Sequence, residues 1–600
     1  MAVHVDTGDA ELDCKIQQWL EWDKNMSTRQ EVTELVSNHC VKELHDRFDV
    51  RVAFGTAGLR AGMEAGPARI NDLTIIQTSQ GLLRYVESMN PECKSQGIVI
   101  GYDARHCSRR FADLTAAIFL NAGVRVFLFS KIVPTPFVAY AIKRYKAATG
   151  VMVTPSHNPK GDNGYKVYWA NGAQIIPPHD KGIASSIESN LEPWKSSWDT
   201  SLVESNPLTT DPLDDIMEAY LADLQNKIYD RDLNTNCPVR ITYTAMHGVG
   251  TAFVKKSFDA VGLPPLIDVV EQVDPDPDFP TVKYPNPEEG KSALDLAIRT
   301  ANANNSNVIF ANDPDADRFA LAEKQPNDNW KIFTGNELGA VLGWWQWVCH
   351  MKNNPECTDG KDVYMLASTV SSKILRTISL KEGFQFEETL TGFKWMGNKA
   401  DELIKQGKTV LFAFEEAIGF MCGTDVLDKD GVSAATMAGQ LAAFLISTNT
   451  TFTEKLQEIY QTYGFHCSNN SYYLCMNPAT MTNIFNRIRA YDDGQYPSSC
   501  GSFQITGIRD LTTGFDSNQP DNKAVLPVSS SSQMITFNFA NGCVATLRAS
   551  GTEPKIKYYT EICTEPAGDQ EAAKKELQCL VDSIVDLWLQ PEINLLVPKE

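Results

Sequence analysis

The sequence predicts an α/β protein built from several similar units and closed by a C-terminal α+β unit. Three observations carry that expectation. Between about residues 98 and 414, short apolar runs alternate with amphipathic helical stretches, the order that builds layered sheets flanked by helices. Beyond residue 457 the chain becomes polar and turn-rich, with alternating runs such as Met534-Ile535-Thr536-Phe537-Asn538-Phe539, the period of a half-buried strand. At 600 residues the chain exceeds what one core supports, so roughly three to five domains are expected.

Residues 14 to 50 read as helical, through Ile16-Gln17-Gln18-Trp19-Leu20 and Val32-Thr33-Glu34-Leu35-Val36, and a further helix is expected to begin near Asn71. Strands are expected at 98–100, 124–129 and 149–153, with a helix at 111–117. The same alternation recurs around 241–244 and 308–311, then around 363–366 and 410–414. Three α/β units are therefore expected, the first ending in the Ser-, Asn-, Pro- and Asp-rich stretch 195–215. A closing helix is expected from about 569. The expected boundaries are 1–205, 206–328, 329–457 and 458–600.

Composition narrows the function classes. With 43% hydrophobic and 22% charged residues, a large core is affordable and wholesale disorder is not expected. The formal net charge of −21 repels phosphate backbones and anionic lipid, which argues against nucleic-acid and membrane partners. A phosphorylated substrate would need a cleft that reverses this sign locally with Arg and Lys. The 14 cysteines form no Cys-x-x-Cys pair, which suits reduced thiols in a cytoplasmic protein better than zinc or disulfides. The N-terminus lacks the charge and apolar pattern of a signal peptide, and no apolar run is long enough to span a bilayer.

Thr154-Pro155-Ser156-His157-Asn158-Pro159-Lys160, followed by Asp162-Asn163-Gly164-Tyr165-Lys166, sets a hydroxyl, an imidazole and an ammonium together after the apolar run 149–153. That combination suits phosphoryl transfer. A serine is a weak nucleophile without a proton acceptor or a stabilising cation, and His157 and Lys166 are two candidates for that help. The strand's carboxyl end is where α/β sheets place chemistry, and the Pro, Asn and Gly residues that follow, as far as Lys166, read as one exposed loop; an ordinary exposed turn is the plainer account of Ser-His-Asn-Pro alone. Asn312-Asp313-Pro314-Asp315-Ala316-Asp317-Arg318 follows another expected strand, and its alternating carboxylates suit a hard cation, Mg²⁺ where phosphate oxygens complete the shell. An EF-hand does not fit, because position six is Arg318 and position twelve is Lys324. A solvated acidic turn is the alternative, and Arg318 beside the triplet favours an anion contact.

Weaker signals surround these two. Gly55-Thr56-Ala57-Gly58-Leu59-Arg60 and Arg548-Ala549-Ser550-Gly551-Thr552-Glu553-Pro554-Lys555 read as turns whose amides, hydroxyls and cations could grip phosphate. Each is equally plausible as a plain Gly-rich or hairpin turn. Glu415-Glu416 after the apolar run 410–414 could accept sugar hydroxyls, or could be a helix N-terminal acidic pair. Thr391-Gly392-Phe393-Lys394-Trp395 could supply a phosphate-binding lysine, or belong to an amphipathic core helix. A P-loop is not supported, since Gly290-Lys291-Ser292 has Pro285 where the motif requires glycine. Ser156 also lacks the Gly-x-Ser-x-Gly elbow of α/β-hydrolases.

Taken in order, the Arg60, Ser156, Asp-x-Asp-x-Asp, Glu415-Glu416 and Arg548 motifs resemble the α-D-phosphohexomutase superfamily over nearly the whole chain. Asp162-Asn163-Gly164-Tyr165-Lys166-Val167-Tyr168-Trp169, Phe279-Pro280-Thr281-Val282-Lys283-Tyr284-Pro285-Asn286-Pro287 and Leu427-Asp428-Lys429-Asp430-Gly431 resemble its branch acting on pentose 1-phosphates. The resemblance implies four domains around a central cleft: phosphoserine-loop, metal-binding, sugar-binding and C-terminal phosphate-binding. It implies that Ser156 carries a phosphoryl group, that one Mg²⁺ joins Ser156 to Asp313, Asp315 and Asp317, and that Arg60, His157 and Lys166 act beside it, with Lys166 rather than His157 expected as the proton partner of Ser156. Arg318, Thr391, Gly392, Lys394, Glu415, Glu416, Arg548, Ser550, Gly551, Thr552 and Lys555 would hold substrate.

The implied reaction interconverts ribose or deoxyribose 1-phosphate and 5-phosphate through a bisphosphate, with phosphoglucomutase side activity. Glucose 1,6-bisphosphate or a pentose bisphosphate would be the activator, sugar phosphates the partners, and the chain a monomer. The rivals are synthesis of glucose 1,6-bisphosphate from an acyl phosphate on the same serine, and silent sugar-phosphate binding. Two positions depart from the usual pattern. Ala417 stands where related glucose enzymes commonly have Ser, which removes a sugar-site hydroxyl and favours the pentose branch. Pro155 stands where Ala is commoner and restricts the backbone before the nucleophile.

Overall fold

The computed structural model describes residues 5–55, 58–289, 291–356, 360–530, 532–550 and 554–599. The strand Thr149–Val153 is buried along its whole length, as expected of a strand covered on both faces and written as a continuous apolar run. It pairs parallel with Ile98–Tyr102 and antiparallel with Asp162–Trp169. The full six-stranded order is Gly58–Gly62, Asp162–Trp169, Thr149–Val153, Ile98–Tyr102, Val126–Leu128, Thr209–Thr210.

The second and third sheets repeat that centre. The second runs Trp330–Ile332, Ala320–Lys324, Val308–Ala311, Ile241–Thr244, Ile267–Asp268, and the third Gln385–Thr389, Val363–Ser368, Thr409–Glu415, Gly419–Cys422. In all three, a parallel-paired strand, fully buried in the first two and mostly buried in the third, leads through a short loop into an antiparallel partner. The three loops, 154–161, 312–319 and 416–418, thus occupy equivalent places. Each contains a non-glycine residue in the left-handed region: Ser156 at φ 62°, Ala316 at 50° and Ile418 at 53°. Such conformations cost about 1–3 kcal/mol and persist where the surroundings over-determine them.

The fourth unit is an antiparallel sheet ordered Ser499–Cys500, Phe503–Asp510, Met534–Phe539, Val544–Ala549, Lys555–Cys563, His466–Leu474, Val597–Pro598. Helices Pro478–Arg489 and Gln570–Ser583 bury Ile484, Phe485, Leu577 and Leu580 in its core. Three α/β units with mixed sheets and a C-terminal α+β unit are therefore observed.

Two local expectations are refined and two corrected. The 14–50 stretch is three helices, Ala10–Trp22, Met26–Ser37 and Val41–Phe48, the first two started by Asp9 and Asn25 caps. Stretch 195–215 contributes a strand, Thr209–Thr210, to the first sheet. Gly58–Gly62 is an edge strand rather than part of a loop, and Asp162–Trp169 is a central strand rather than the tail of the nucleophile loop. Among the described residues no single helix is long and apolar enough to cross a membrane.

The edge strand requires glycine at its start. Gly58 has φ 114°, and a Cβ there would meet the Tyr165 carbonyl oxygen at 1.8 Å. Gly58→Ala must therefore peel the strand that carries Arg60 away from Asp162–Trp169. A loss of about 2–4 kcal/mol is expected in a urea unfolding series; an unchanged midpoint would contradict this register.

Candidate active site

Ser156 lies at the end of the buried strand and is itself 2% exposed, not part of an exposed loop as expected. Its N–H donates to Thr154 Oγ1 at 3.0 Å, and Thr154 Oγ1 donates to Asp103 Oδ2 at 2.6 Å. The Arg105 guanidinium donates to the carbonyls of Ser156, Asn158 and Pro159 at 2.8, 2.5 and 2.8 Å. Its face rests on the Phe279 ring of the second unit, 4.8 Å from the centroid. One buried cation therefore fixes the backbone of the whole loop. Ser156 Oγ donates to Asp313 Oδ2 at 2.8 Å and lies 3.3 Å from His157 Nδ1.

Asp313, Asp315 and Asp317 are buried and converge, with one oxygen of each within 4.8 Å of the others. Lys166 Nζ donates to Asp315 Oδ2 at 2.7 Å and Asp317 Oδ2 at 2.8 Å. Thr135 Oγ1 also donates to Asp315, and Lys429 Nζ lies 3.2 Å from Asp317 Oδ2. Burial alone would depress the Lys166 ammonium, but the two carboxylates outweigh it and hold it protonated. Burial, then the charges of Asp315 and Asp317, push the Asp313 carboxyl well above its ordinary range. The Oδ1 atoms of Asp315 and Asp317 are buried with no hydrogen-bond partner among the described residues. Unsatisfied oxygens are costly in such a place, and an all-oxygen donor set suits a hard cation. The residues present fit a divalent metal ion.

His157 is half-buried. Burial, then the neighbouring Arg318 and Arg60, hold its imidazole well below the usual histidine range. Arg60 is exposed on its edge strand, where its charge acts on the three carboxylates. The backbone N–H of Arg318 donates to Asp313 Oδ1 at 3.0 Å. Glu415 ends the strand Thr409–Glu415 and the chain turns directly into Gly419–Cys422, so the acidic pair starts no helix. Glu416 Oε2 accepts from Ser371 and Ser368 at 3.0 and 3.2 Å. Lys394 is buried in the first turn of helix Phe393–Lys405, behind Thr391 and Gly392, and Gly392 has φ 100°. Chiefly burial pushes Lys394 down to about 8, with Asp180 opposing and the charge of Arg548 adding to the shift. The charge of Arg548, on the fourth unit, thus reaches Lys394. Ser550 N–H donates to the Lys555 carbonyl at 2.8 Å, closing a hairpin, and Lys555 Nζ sits 4.4 Å above Tyr472. Gly551 and Thr552 lie outside the described residues.

A cleft of about 1560 Å³ joins all four units, with His157, Arg318, Glu416, Ala417, Lys555 and Tyr559 among its lining. Burial pushes Glu415 up to about 7, with Lys429 opposing and Glu416 reinforcing the shift. Because an unfolded glutamate titrates near ~4.3, this group's share of stability is present below that value and is lost as pH rises through about 7. If the ionised form accepts sugar hydroxyls, KM for a sugar phosphate falls over the same interval. Glu415→Gln should flatten that pH profile, and an unaltered profile would contradict the role.

Comparison with known proteins agrees with this layout. Models of the phosphoglucomutase/phosphomannomutase α/β/α domains I, II and III match residues 51–194, 218–327 and 335–463, more than half of the chain. The chain belongs to the phosphoglucomutase/phosphomannomutase family. Phosphopentomutase of Pongo abelii is 55% identical over 599 residues, covering 98% of each chain. Glucose 1,6-bisphosphate synthase of the same species is 53% identical, covering 98% of this chain and 96% of that one. Parafusin, a phosphoglucomutase from Paramecium solved in an open form, shares the fold with TM-score 0.65 at 20% identity, covering 90% of this chain and 94% of that one.

Within this phosphoglucomutase/phosphomannomutase-type site, sequence reasoning missed four supporting side chains: Asp103, Arg105, Thr135 and Lys429. Only Lys429 had a local signal, inside the Asp428-Lys429-Asp430-Gly431 stretch. That stretch sits against the metal loop because Gly431 N–H donates to the Ala316 carbonyl at 3.1 Å. A Cβ on Gly431 would lie 2.3 Å from the Arg318 carbonyl oxygen.

Proposed function

We propose that this chain is a phosphopentomutase, interconverting ribose or deoxyribose 1-phosphate and 5-phosphate, with phosphoglucomutase side activity. The observation that carries the reading is Ser156 Oγ donating to Asp313 at 2.8 Å beside two unpartnered carboxylate oxygens and a protonated Lys166. The 55% identical phosphopentomutase supports the substrate class. Ala417, which lines the cleft where a serine would add a hydroxyl, also favours a pentose over glucose.

In this reading Ser156 rests as the phosphoserine. The sugar's free hydroxyl oxygen attacks the phosphorus, the P–Oγ bond breaks, and a sugar bisphosphate forms. The bisphosphate turns over in the cleft, and Ser156 Oγ takes back the other phosphoryl group. His157 is the better proton carrier of the two candidates, because its imidazole is held neutral while Lys166 is held protonated: it takes the proton of the attacking sugar hydroxyl and returns one to Ser156 Oγ, 3.3 Å from its Nδ1, as the P–Oγ bond breaks. Lys166 is fully engaged by Asp315 and Asp317 and acts as a fixed positive charge. Arg60 and Arg318 face the same phosphoryl group; Glu415 and Glu416 hold sugar hydroxyls. Thr391, Gly392, Lys394, Arg548, Ser550, Gly551, Thr552 and Lys555 hold the distal phosphate. Positioning and charge neutralisation suffice for such chemistry, which also requires that water be kept from the phosphoserine; Ser156 itself is 2% exposed.

Asp313, Asp315 and Asp317 would hold one Mg²⁺ with Ser156. When bound, the ion supplies charge neutralisation at the phosphoryl oxygens. Chelation with EDTA should therefore abolish turnover by about 100-fold or more, and Mg²⁺ should restore it; full activity in EDTA would exclude a metal role. The four units are proposed as working domains with boundaries near residues 205, 328 and 457. A bisphosphate activator, a monomeric state and a cytoplasmic location complete the proposal.

A specific rival is glucose 1,6-bisphosphate synthesis, since a relative of that name is 53% identical. Turnover of ribose 1-phosphate should exceed that of glucose 1-phosphate, and an acyl phosphate donor should not be required. Absent pentose turnover with donor-dependent bisphosphate formation would overturn the assignment.

A further inference from the structure

Arg318 belongs to the carboxylate loop 312–319, and among the described residues its guanidinium has a single ion-pair partner within 4 Å, Glu288. Its side chain is 13% exposed, and its Nε is buried with no hydrogen-bond partner among the described residues. Its Nη1 reaches Glu288 Oε2 at 3.4 Å, longer than the roughly 2.7–2.9 Å of a well-formed charge-assisted bond. Glu288 sits in the short turn Pro287–Glu289, where its N–H donates to Asn286 Oδ1 at 3.1 Å, and its side chain is 45% exposed to the cleft. Across the cleft, the charge of Glu288 also reaches Tyr559 of the fourth unit. The turn thus brings a carboxylate, from a segment separate from the metal and sugar loops, to the guanidinium that follows the carboxylate triplet and lines the cleft.

We propose that Glu288 is a resident counter-ion for Arg318 that a phosphoryl group of the sugar phosphate displaces, and that it thereby limits how tightly the cleft holds the bisphosphate. The inference rests on the mutase reading. No covalent step is involved: Arg318 exchanges one anion for another, and Glu288, already half in water, returns to solvent. The device suits an enzyme whose intermediate must loosen and reorient before its second transfer. A cleft with unopposed cations would hold a bisphosphate too firmly to turn it.

The test is calorimetric binding of glucose 1,6-bisphosphate to the full chain, its Glu288→Gln and Arg318→Met variants, and the double variant. Glu288→Gln should bind about two- to fivefold more tightly, the range of a part-exposed ion pair. That gain should vanish in the Arg318→Met background. In turnover assays Glu288→Gln should lower KM and kcat together, which a merely structural change would not do. Unchanged or weaker binding by Glu288→Gln, or an equal gain without Arg318, overturns the inference while leaving the mutase reading intact. A wild-type chain that binds no sugar bisphosphate removes both.

Discussion

Ser156→Ala should lose turnover of ribose 1-phosphate by about four orders of magnitude or more, because it removes the atom that receives and returns the phosphoryl group. The loss should appear in kcat, with sugar-phosphate binding largely retained, since the remaining cations and carboxylates are untouched. Thermal unfolding should change little: the hydroxyl gives up one hydrogen bond to Asp313, worth about 1 kcal/mol. A variant with full activity would show that the phosphoryl group passes through another residue or directly between sugars.

Lys166→Met should be damaging in two independent readouts. Lys166 Nζ is the shared partner of Asp315 and Asp317, all three side chains being at most 5% exposed. Removing one member of a buried ion cluster leaves uncompensated charge and typically costs about 3–5 kcal/mol. Lys429 offsets part of this, at 3.2 Å from Asp317. The same substitution removes the fixed positive charge beside Ser156, so kcat should fall by about 100-fold or more. Urea unfolding in the presence of EDTA isolates the first effect from any metal. A stable, inactive variant would separate the catalytic charge from the structural one, and a stable, active variant would contradict both.

The sequence made the buried strands and the two short chemical loops legible for physical reasons. Thr149–Val153 and Val308–Ala311 are covered on both faces, so their apolar runs survive as contiguous signals. Ser156 and the Asp313, Asp315 and Asp317 triplet each lie within a few residues of such a run. What holds those loops was not legible, because the contacts span long separations: Thr135 and Asp315 are 180 residues apart, and Lys166 and Asp317 are 151 apart. No periodicity encodes such a pairing.

The misread strands have a local cause. Gly58–Gly62 is a short edge strand flanked by glycine, with one buried position among five, so it lacks an alternating pattern. Asn163-Gly164 reads as a turn in isolation, yet both residues are buried within Asp162–Trp169. Asn163 Nδ2 donates to the His106 carbonyl and Ser108 Oγ, each at 3.0 Å. A Cβ on Gly164 would lie 2.3 Å from the Thr154 carbonyl oxygen, so the glycine allows the strand to pass directly behind the nucleophile loop. Residues typical of turns are there because the site needs close backbone approach.

The proposed mechanism requires Ser156 to carry the phosphoryl group. Intact-mass measurement of the purified chain, followed by peptide mapping, tests it most directly. One phosphoryl group is expected on the peptide containing Ser156, discharged by excess ribose 5-phosphate and restored by glucose 1,6-bisphosphate. An active chain that never carries phosphate, or carries it only on another residue, would contradict it.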